Sequence, residues 1–143
     1  MSDLRVLFDD LVRVEIVLWD AVDRRLRRDL DLPLGRAEVL RVVVSTPGCR
    51  IQDVARALAI TVGAVSKLVD RLEAAGLCVR RAHPGDRRSS LLEPTVAGRE
   101  AHAATETAAR DELAHRLEAL PARERDRLGA LLAQARTCLA GPS

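Results

Sequence analysis

The chain of 143 residues has very few aromatic side chains, because Phe8 and Trp19 are its only two. Proteins that bind RNA or single-stranded DNA by base stacking use exposed rings as platforms, so this shortage argues against that class. No apolar run approaches the ~18–20 residues that a membrane span needs. Charged residues interrupt the start of the chain, where a signal region would be apolar. We therefore expect a cytoplasmic protein without a membrane partner.

Cysteines are scarce and unpaired in the sequence. Cys49, Cys78 and Cys138 lie far apart and form no Cys-x-x-Cys pair, which argues for a reducing compartment rather than a disulfide framework. The sequence also lacks a Ser-His-Asp order, a Gly-rich phosphate loop and the spacing of metal ligands. We expect no catalytic residues, no metal site and no cofactor, and hence a protein that is not an enzyme.

The net charge is only +2, but the charges are unevenly distributed. Residues 36–99 hold 11 Lys and Arg against 6 Asp and Glu. Residues 1–35 hold 6 basic against 8 acidic residues, and residues 100–143 hold 6 against 7. A basic middle between acidic ends is the electrostatic footprint expected for a polyanion partner.

The spacing of apolar residues predicts a mainly α fold. A long amphipathic helix over residues 4–30 is followed by the helix-breaking residues Pro33 and Gly35. Thr61 and Thr95 can each cap a helix, and Gly76 can close one in the left-handed conformation. The predicted short helices cover residues 37–44 and 51–58, the longer ones residues 61–75, 95 to about 120 and 121–139, and the two strands residues 77–82 and 89–93.

Residues 51–76 are the most informative segment. Two helices of unequal length with a short turn fit a helix-turn-helix, whose second helix enters the major groove of DNA. The apolar residues of that helix face one way, whereas small and polar residues occupy its outer face: Gly63, Ala64, Ser66, Lys67 and Arg71. Small residues let the backbone approach DNA, and Ser66 and Lys67 can bond to bases or phosphates. An ordinary solvated helix face is the alternative interpretation.

The predicted hairpin carries basic residues close behind this segment. Arg87 and Arg88 lie at its tip, and the narrow minor groove of DNA has a negative potential that attracts an inserted Arg. The carboxylate of Asp86 can orient a neighbouring guanidinium through charge-assisted hydrogen bonds. A charged turn stabilised only by Asp–Arg pairing is the alternative, and the short distance from the helix-turn-helix favours the DNA interpretation.

Three stretches together resemble the multiple-antibiotic-resistance regulator (MarR) family: residues 63–77 (GAVSKLVDRLEAAGL), Arg80-Arg81 with residues 84–88 (PGDRR), and residues 95–98 (TVAG). The likeness covers nearly the whole chain of residues 1–143. It implies a winged helix-turn-helix fold, mainly α with a small β-hairpin wing and dimerised by its N- and C-terminal helices. The dimerisation helices would cover residues 1–32 and 96–143, and the DNA-binding lobe residues 36–95. The resemblance also implies that residues 62–67 read the major groove while Asp86 positions Arg88 in the minor groove.

We therefore expect a sequence-specific regulator of transcription that binds double-stranded DNA, a ligand-responsive repressor acting as a homodimer on a pseudo-palindromic operator. The predicted DNA-binding residues are Thr61, Val62, Gly63, Ala64, Ser66, Lys67, Arg71, Asp86, Arg87 and Arg88. A small aromatic or phenolic effector would need a cation and an apolar wall, for which Arg13 and Trp19 are candidates. These two residues lie about 120° apart around one helix, so they need not line one pocket.

Two alternative functions keep the same fold. A redox-sensing regulator would use Cys49, which lies near a helix start beside Arg50, a neighbour that can lower the pKa of the thiol. A dimeric adaptor would bind proteins instead of DNA and would be retained poorly on heparin. The sequence also departs from the family at Pro94, whose missing N–H predicts a lost ladder bond or an early end of the strand.

Overall fold

The computed structural model describes residues 1, 3–83 and 85–141, and at positions 83 and 86–88 it describes the backbone only. Within those residues the chain forms six helices and one small sheet, which confirms the predicted mainly α fold with a β-hairpin. The helices are α1 Leu4–Leu30, α2 Leu34–Ser45, α3 Ile51–Leu58, α4 Val62–Ala74, α5 Val96–Arg116 and α6 Ala122–Leu139. The strands are β1 Cys49–Arg50, β2 Cys78–His83 and β3 Asp86–Pro94.

The helix starts and stops predicted from local chemistry are confirmed. Thr61 accepts a hydrogen bond from the backbone N–H of Ala64 at 3.1 Å, and Thr95 accepts one from Gly98 at 3.0 Å. Gly76 has a φ of +74°, as expected for the residue that closes α4. Each cap satisfies a backbone N–H that a helix start would otherwise leave without a partner.

Some element boundaries differ from the predicted ones. Helix α2 begins at Leu34 rather than at residue 37, because Pro33 occupies its N-cap and the carboxylate of Asp23 accepts a hydrogen bond from the Leu34 N–H at 2.8 Å. Helix α5 ends at Arg116 rather than near residue 120. The following turn brings the chain to Pro121, which is the N-cap of α6.

The sheet has three antiparallel strands in the order β1-β3-β2, so β3 is central. Strand β1 was not predicted; it pairs Cys49 with Leu92 and Arg50 with Leu91. Strand β3 does not end before Pro94, which lies opposite Cys78 at the end of the ladder. The missing N–H of Pro94 is tolerated there because β1 does not extend that far along β3.

The hydrophobic core lies inside the lobe formed by α2, α3, α4 and the sheet. Its fully buried side chains come from each of these elements: Val39, Leu40, Val54, Val65, Val69, Leu72 and Leu92. Leu26 of α1 and Ala108 of α5 join the same cluster, so both long helices are anchored on the lobe. The guanidinium of Arg25 adds a link between them, because it pairs with Asp29 and lies 3.5 Å from Glu112 of α5.

The far ends of the long helices are not covered by this chain. None of residues 4–20 is fully buried, and α6 has no buried residue. The exposed apolar side chains on these helices include Leu7, Phe8, Leu11, Val14, Leu128, Leu131 and Leu132. No helix within the described residues is both long enough and apolar enough to cross a membrane.

Candidate nucleic-acid interface

Helices α3 and α4 form the predicted helix-turn-helix. Ala59 takes the left-handed conformation with a φ of +54°, and the Ile60 N–H donates to the carbonyl of Ala55 at 3.1 Å, which turns the chain sharply after α3. Helix α3 starts without a Ser or Thr cap: the carboxylate of Asp53 instead accepts a hydrogen bond from the Arg50 N–H at 2.8 Å. That hydrogen bond, followed by the one from Arg56, lowers the pKa of Asp53. Asp53 thus caps the start of α3, whereas the turn itself is closed by the Ile60–Ala55 hydrogen bond and by the Thr61 cap of α4.

Helix α4 packs with one face only, as its pattern predicts. Val65, Val69 and Leu72 are fully buried against the lobe, and Leu68 is half-buried. The outer face carries the predicted contact residues. Thr61, Val62, Gly63, Lys67 and Arg71 are exposed, while Ala64 and Ser66 are half-buried. The structure thus brings all the predicted residues of this helix onto one accessible side.

Gly63 has open space around it. A Cβ atom at this position would meet no other atom of the described chain within 4 Å, and the residue does not require a positive φ. The fold itself therefore does not need a glycine here. A small residue at an exposed helix start instead leaves room for a partner outside the chain.

Arg80 of β2 attaches the base of the hairpin to α4. Its guanidinium lies 2.6 Å from a carboxylate oxygen of Asp70, 3.2 Å from one of Glu73 and 3.3 Å from the carbonyl oxygen of Ser66. The backbone N–H of Arg80 also donates to Glu73 at 3.0 Å. Sequence analysis missed this positioning residue; the available signal was the pair of carboxylates three residues apart on α4. Arg81, its neighbour, instead pairs with Glu93 across the hairpin.

The predicted minor-groove residues lie at the far end of this hairpin. The backbone of Asp86, Arg87 and Arg88 forms the start of β3, but their side chains lie outside the described part of the structure. Pro84 lies outside it as well. The pairing of Asp86 with Arg88 stays a prediction.

The hairpin returns to the helices through a close junction. The Thr95 hydroxyl donates to the carbonyl of Gly76 at 2.6 Å, and the Thr95 N–H donates to the carbonyl of Leu77 at 3.1 Å. Gly98 lies against the same carbonyl, since a Cβ built on it would be 1.9 Å from the Leu77 oxygen. The end of α4, the end of β3 and the start of α5 are therefore in direct backbone contact.

Comparison with known proteins shows which family this architecture resembles. A sequence profile of the MarR family matches residues 30–89, which contain the helix-turn-helix and part of the hairpin. The structure of Sco3205 from Streptomyces coelicolor, a MarR-family transcriptional regulator in complex with DNA, superimposes with a TM-score of 0.82. The two chains are 25% identical, and the match covers 97% of this chain and 88% of that one. Over residues 30–89 the chain is similar in sequence to the MarR family, and its fold is that of MarR-family transcriptional regulators.

Two further structures have the same MarR-family fold. The transcriptional repressor CouR, bound to a 23-mer DNA duplex, is 26% identical, with 95% and 99% of the two chains covered and a TM-score of 0.81. Rv2887 from Mycobacterium tuberculosis, in complex with p-aminosalicylic acid, is 28% identical, with 94% and 98% covered and a TM-score of 0.76. No curated protein sequence matches this chain.

The buried cysteines do not fit the redox alternative. Cys49 is fully buried, and burial, followed by the negative charge of Asp53, raises the pKa of its thiol to about 11. The expectation that Arg50 lowers this pKa is therefore wrong, because desolvation outweighs the nearby cation. Burial also raises the pKa of Cys78, whereas Cys138 is exposed. Within residues 3–83 and 85–141, no three His, Cys, Asp or Glu residues are grouped as a metal site.

The two predicted effector residues are separated in the structure. Trp19 lines a cavity of about 340 Å³ between α1, α2 and α5, with an apolar wall that includes Leu18, Leu34 and Leu113. Arg13 is exposed and does not belong to that lining. The charged residues that do line it are carboxylates, Glu15 and Glu38. Trp19 thus faces a cavity of suitable size, but one without the expected cation.

Proposed function

We propose that this protein binds double-stranded DNA and regulates transcription as a homodimer on a pseudo-palindromic operator. The observation that carries the proposal is helix α4, which is anchored by its buried face and leaves Thr61, Val62, Gly63 and Lys67 exposed. A helix presented in this way fits the major groove. The DNA complexes of Sco3205 and CouR support the same assignment.

The electrostatics of α4 favour a polyanion. Its first two turns contain Ser66 and Lys67 and no carboxylate, so their hydroxyl and ammonium groups can reach phosphates or base edges. The acidic residues come later, and the guanidinium of Arg80 lies against both of them: Asp70 and Glu73. The negative charge nearest to the proposed DNA face is therefore partly offset within the protein, by one guanidinium against two carboxylates.

We assign the hairpin tip to the minor groove. Arg88 would insert where the groove is narrow, with Arg87 beside it and Asp86 orienting the guanidinium. The attachment of the hairpin base by Arg80 supports this assignment, because it holds the wing at a constant position relative to α4.

Homodimerisation is proposed from the uncovered apolar side chains. Phe8 of α1 is 53% exposed and Leu131 of α6 is 55% exposed, although both belong to amphipathic helices. Exposed apolar side chains grouped in this way mark an interaction site. In a two-fold dimer the same surface of the second copy would cover them. Such a dimer would place its two α4 helices on half-sites about 10–10.5 base pairs apart, one turn of DNA.

We further propose that the protein is a repressor that a small aromatic or phenolic effector releases from DNA. The complex of Rv2887 with p-aminosalicylic acid supports an aromatic effector, and CouR is itself a repressor. The Trp19 cavity offers an apolar wall of adequate size for a neutral or phenolic ring.

The decisive experiment is a footprint on the DNA upstream of the coding region, combined with binding measured over a range of salt concentrations. We expect protection of two half-sites and a steep loss of affinity with salt, because bound phosphates release counterions. Lys67→Ala should lower the salt slope by about one for each subunit, which is about two for the proposed dimer. The matched control Arg136→Ala removes a charge from α6 and should leave the slope unchanged.

The wing is tested with the same DNA. Arg88→Ala should weaken binding by roughly 1–3 kcal/mol, most strongly on sites with A·T-rich flanks. Asp86→Ala should cost less, and the double variant little more than Arg88→Ala alone. A salt-independent affinity with poor heparin retention would instead favour the protein adaptor.

A further inference from the structure

The first turn of α4 is exposed, but its side chains carry no hydrogen-bonding group. Val62 begins the helix and is 51% exposed, and Gly63 and Ala64 follow it. The fourth residue, Val65, is fully buried in the lobe. The hydroxyl oxygen of Thr61, just before this turn, is engaged in the cap with the Ala64 N–H. The side chains of the turn itself therefore offer only apolar atoms to a partner.

The second turn of α4 differs from the first in its chemistry. Ser66 follows Val62 by four residues and thus lies on the same side of the helix, one turn further on. Lys67 has the same relation to Gly63. Because Gly63 has no side chain, nothing projects from its position beside Val62. Val62 thus has the largest exposed side chain of the first turn, and the polar groups begin one turn later.

Exposure alone does not distinguish Val62 from other valines. Val96 has the same local position, because it begins α5 behind the capping residue Thr95, and it is 76% exposed. The first two turns of α5 contain a carboxylate, that of Glu100, whereas those of α4 contain none. Val62 is the valine that lies one turn from an exposed ammonium group, on the helix face that we assign to DNA.

The base edges of the major groove limit what such a turn can recognise. They present hydrogen-bond donors, hydrogen-bond acceptors and a single kind of apolar group, the C5 methyl group of thymine. The donors and acceptors need a polar side chain, which the first turn of α4 lacks. Apolar contact with a methyl group is therefore the direct base recognition that the side chains of this turn allow.

We infer that Val62 recognises the C5 methyl group of a thymine in each half-site and so determines part of the operator sequence. The methyl groups of the valine would contact the thymine methyl group, and both surfaces would lose their water. A cytosine at the same place has no methyl group to contact. The inference rests on the proposed DNA-binding function, and it adds the base that the first turn of α4 prefers.

The test uses the full chain and the operator duplex that the footprint defines, with fluorescence anisotropy as the measurement. Each thymine of the half-site is replaced in turn, in both half-sites at once, by deoxyuridine, which lacks the C5 methyl group and keeps the same hydrogen-bonding groups. At one position we expect the Kd to rise about fourfold for each half-site, which is about fifteenfold for the duplex. This is the size expected for the burial of one methyl group.

Val62→Ala shows whether the loss passes through this side chain. The variant should bind the original operator more weakly and should bind the thymine and deoxyuridine forms equally well at the sensitive position. Alanine forms helices better than valine does, so α4 is retained. Val96→Ala is the matched control, because it makes the same change at the start of α5. It should keep the full preference for thymine.

Methylated cytosine separates contact with the methyl group from an effect of thymine on the shape of the DNA. Exchange of the sensitive T·A pair for C·G should weaken binding. 5-Methylcytosine at that position returns the methyl group alone, and it should restore part of the affinity of the wild-type protein and of Val96→Ala. It should restore none of the affinity of Val62→Ala.

The outcomes for the inference and for the proposed function are distinct. Intact DNA binding that no deoxyuridine weakens, or that deoxyuridine weakens equally in Val62→Ala, overturns the role of Val62 alone. Loss of the thymine preference in Val96→Ala overturns it as well. A wild-type protein that binds no DNA at all overturns the proposed function and this inference together.

Discussion

The DNA-binding lobe and the two terminal helices differ in how they are stabilised. The lobe encloses its own core, in which Leu40, Val54 and Leu72 are fully buried. Helix α6 has 18 residues and buries none of them, and the first half of α1 is equally open. A single helix of this length is only marginally stable in water without packing. The comparison teaches that the lobe depends on intramolecular contacts, whereas α6 and the first half of α1 bury no residue within the described chain.

The largest effect is expected where the two regions meet. Gly98→Ala places a Cβ 1.9 Å from the Leu77 carbonyl oxygen, so the backbone of the junction must move. We expect a loss of about 3 kcal/mol of unfolding free energy, measured by urea denaturation at one protein concentration. The control Gly129→Ala lies on α6 with nothing within 4 Å and should stabilise by about 0.5–1 kcal/mol. Equal effects of the two variants would contradict the close contact at Gly98.

Substitutions at two leucines distinguish the stability of the lobe from the stability of the proposed dimer. Leu40→Ala opens a cavity in the core and should cost about 2–5 kcal/mol of unfolding free energy. Leu131→Ala removes an exposed side chain of α6 and should instead raise the dimer dissociation constant by about tenfold or more. Sedimentation measurements beside urea denaturation distinguish these outcomes. A well-folded wild-type monomer at micromolar concentration would refute the dimer.

Within the lobe, neighbouring arginines should differ in their effect on DNA binding. Arg80→Ala releases the hairpin from α4 and leaves Asp70 and Glu73 without their cation, so we expect an affinity loss of about tenfold. Arg81→Ala removes the same charge from a more exposed pair with Glu93 and should cost about threefold or less. Fluorescence anisotropy with labelled operator DNA measures both. Equal losses would mean that only the net charge of the hairpin matters.

The smallest effect on function is expected at the thiols. Cys138 is exposed and should react rapidly with a thiol reagent at pH 8, whereas Cys49 should not, because burial keeps its thiol protonated. Because burial raises the pKa of Cys49, the protonated thiol contributes to the free energy of unfolding. This contribution is fully present below the ordinary thiol pKa of about 8.5. That stability is lost as the pH rises toward the folded-state pKa of about 11. Cys138→Ser should remove the rapid phase of the reaction with the thiol reagent. Fast modification of native Cys49 would instead support the redox alternative.

Helix caps and other features set by neighbouring residues were predictable from the sequence. Contacts between segments far apart in the chain were not. The caps at Thr61 and Thr95 and the left-handed Gly76 each depend on residues within a few positions, so their residue types reveal them. Strand β1 has only two residues and forms by pairing with Leu91 and Leu92, about forty positions away. A strand of two residues is too short to show a periodic pattern in the sequence.

The same distinction applies to the candidate site. The outer face of α4 follows from helical periodicity, which is why Gly63, Ala64, Ser66, Lys67 and Arg71 could be assigned to it. The partners of Arg80 and the enclosure of Cys49 depend on how strands pack against helices. The separation of Arg13 from Trp19 follows from their angle of about 120° around α1, whereas the cavity beside Trp19 depends on the positions of α2 and α5 relative to α1.

The junction at Thr95 also has a mechanical consequence. Strand β3 ends at Pro94 and α5 begins at Val96, so no flexible joint lies between the wing and the long helix. Helix α5 has 21 residues and is therefore about 32 Å long, which makes it a lever with the wing at one end. A tilt of about 5° at its far end would displace the wing by about 3 Å, as follows from that length. In the proposed dimer, small movements between the subunits would thus be magnified at the wing, which we assign to the operator.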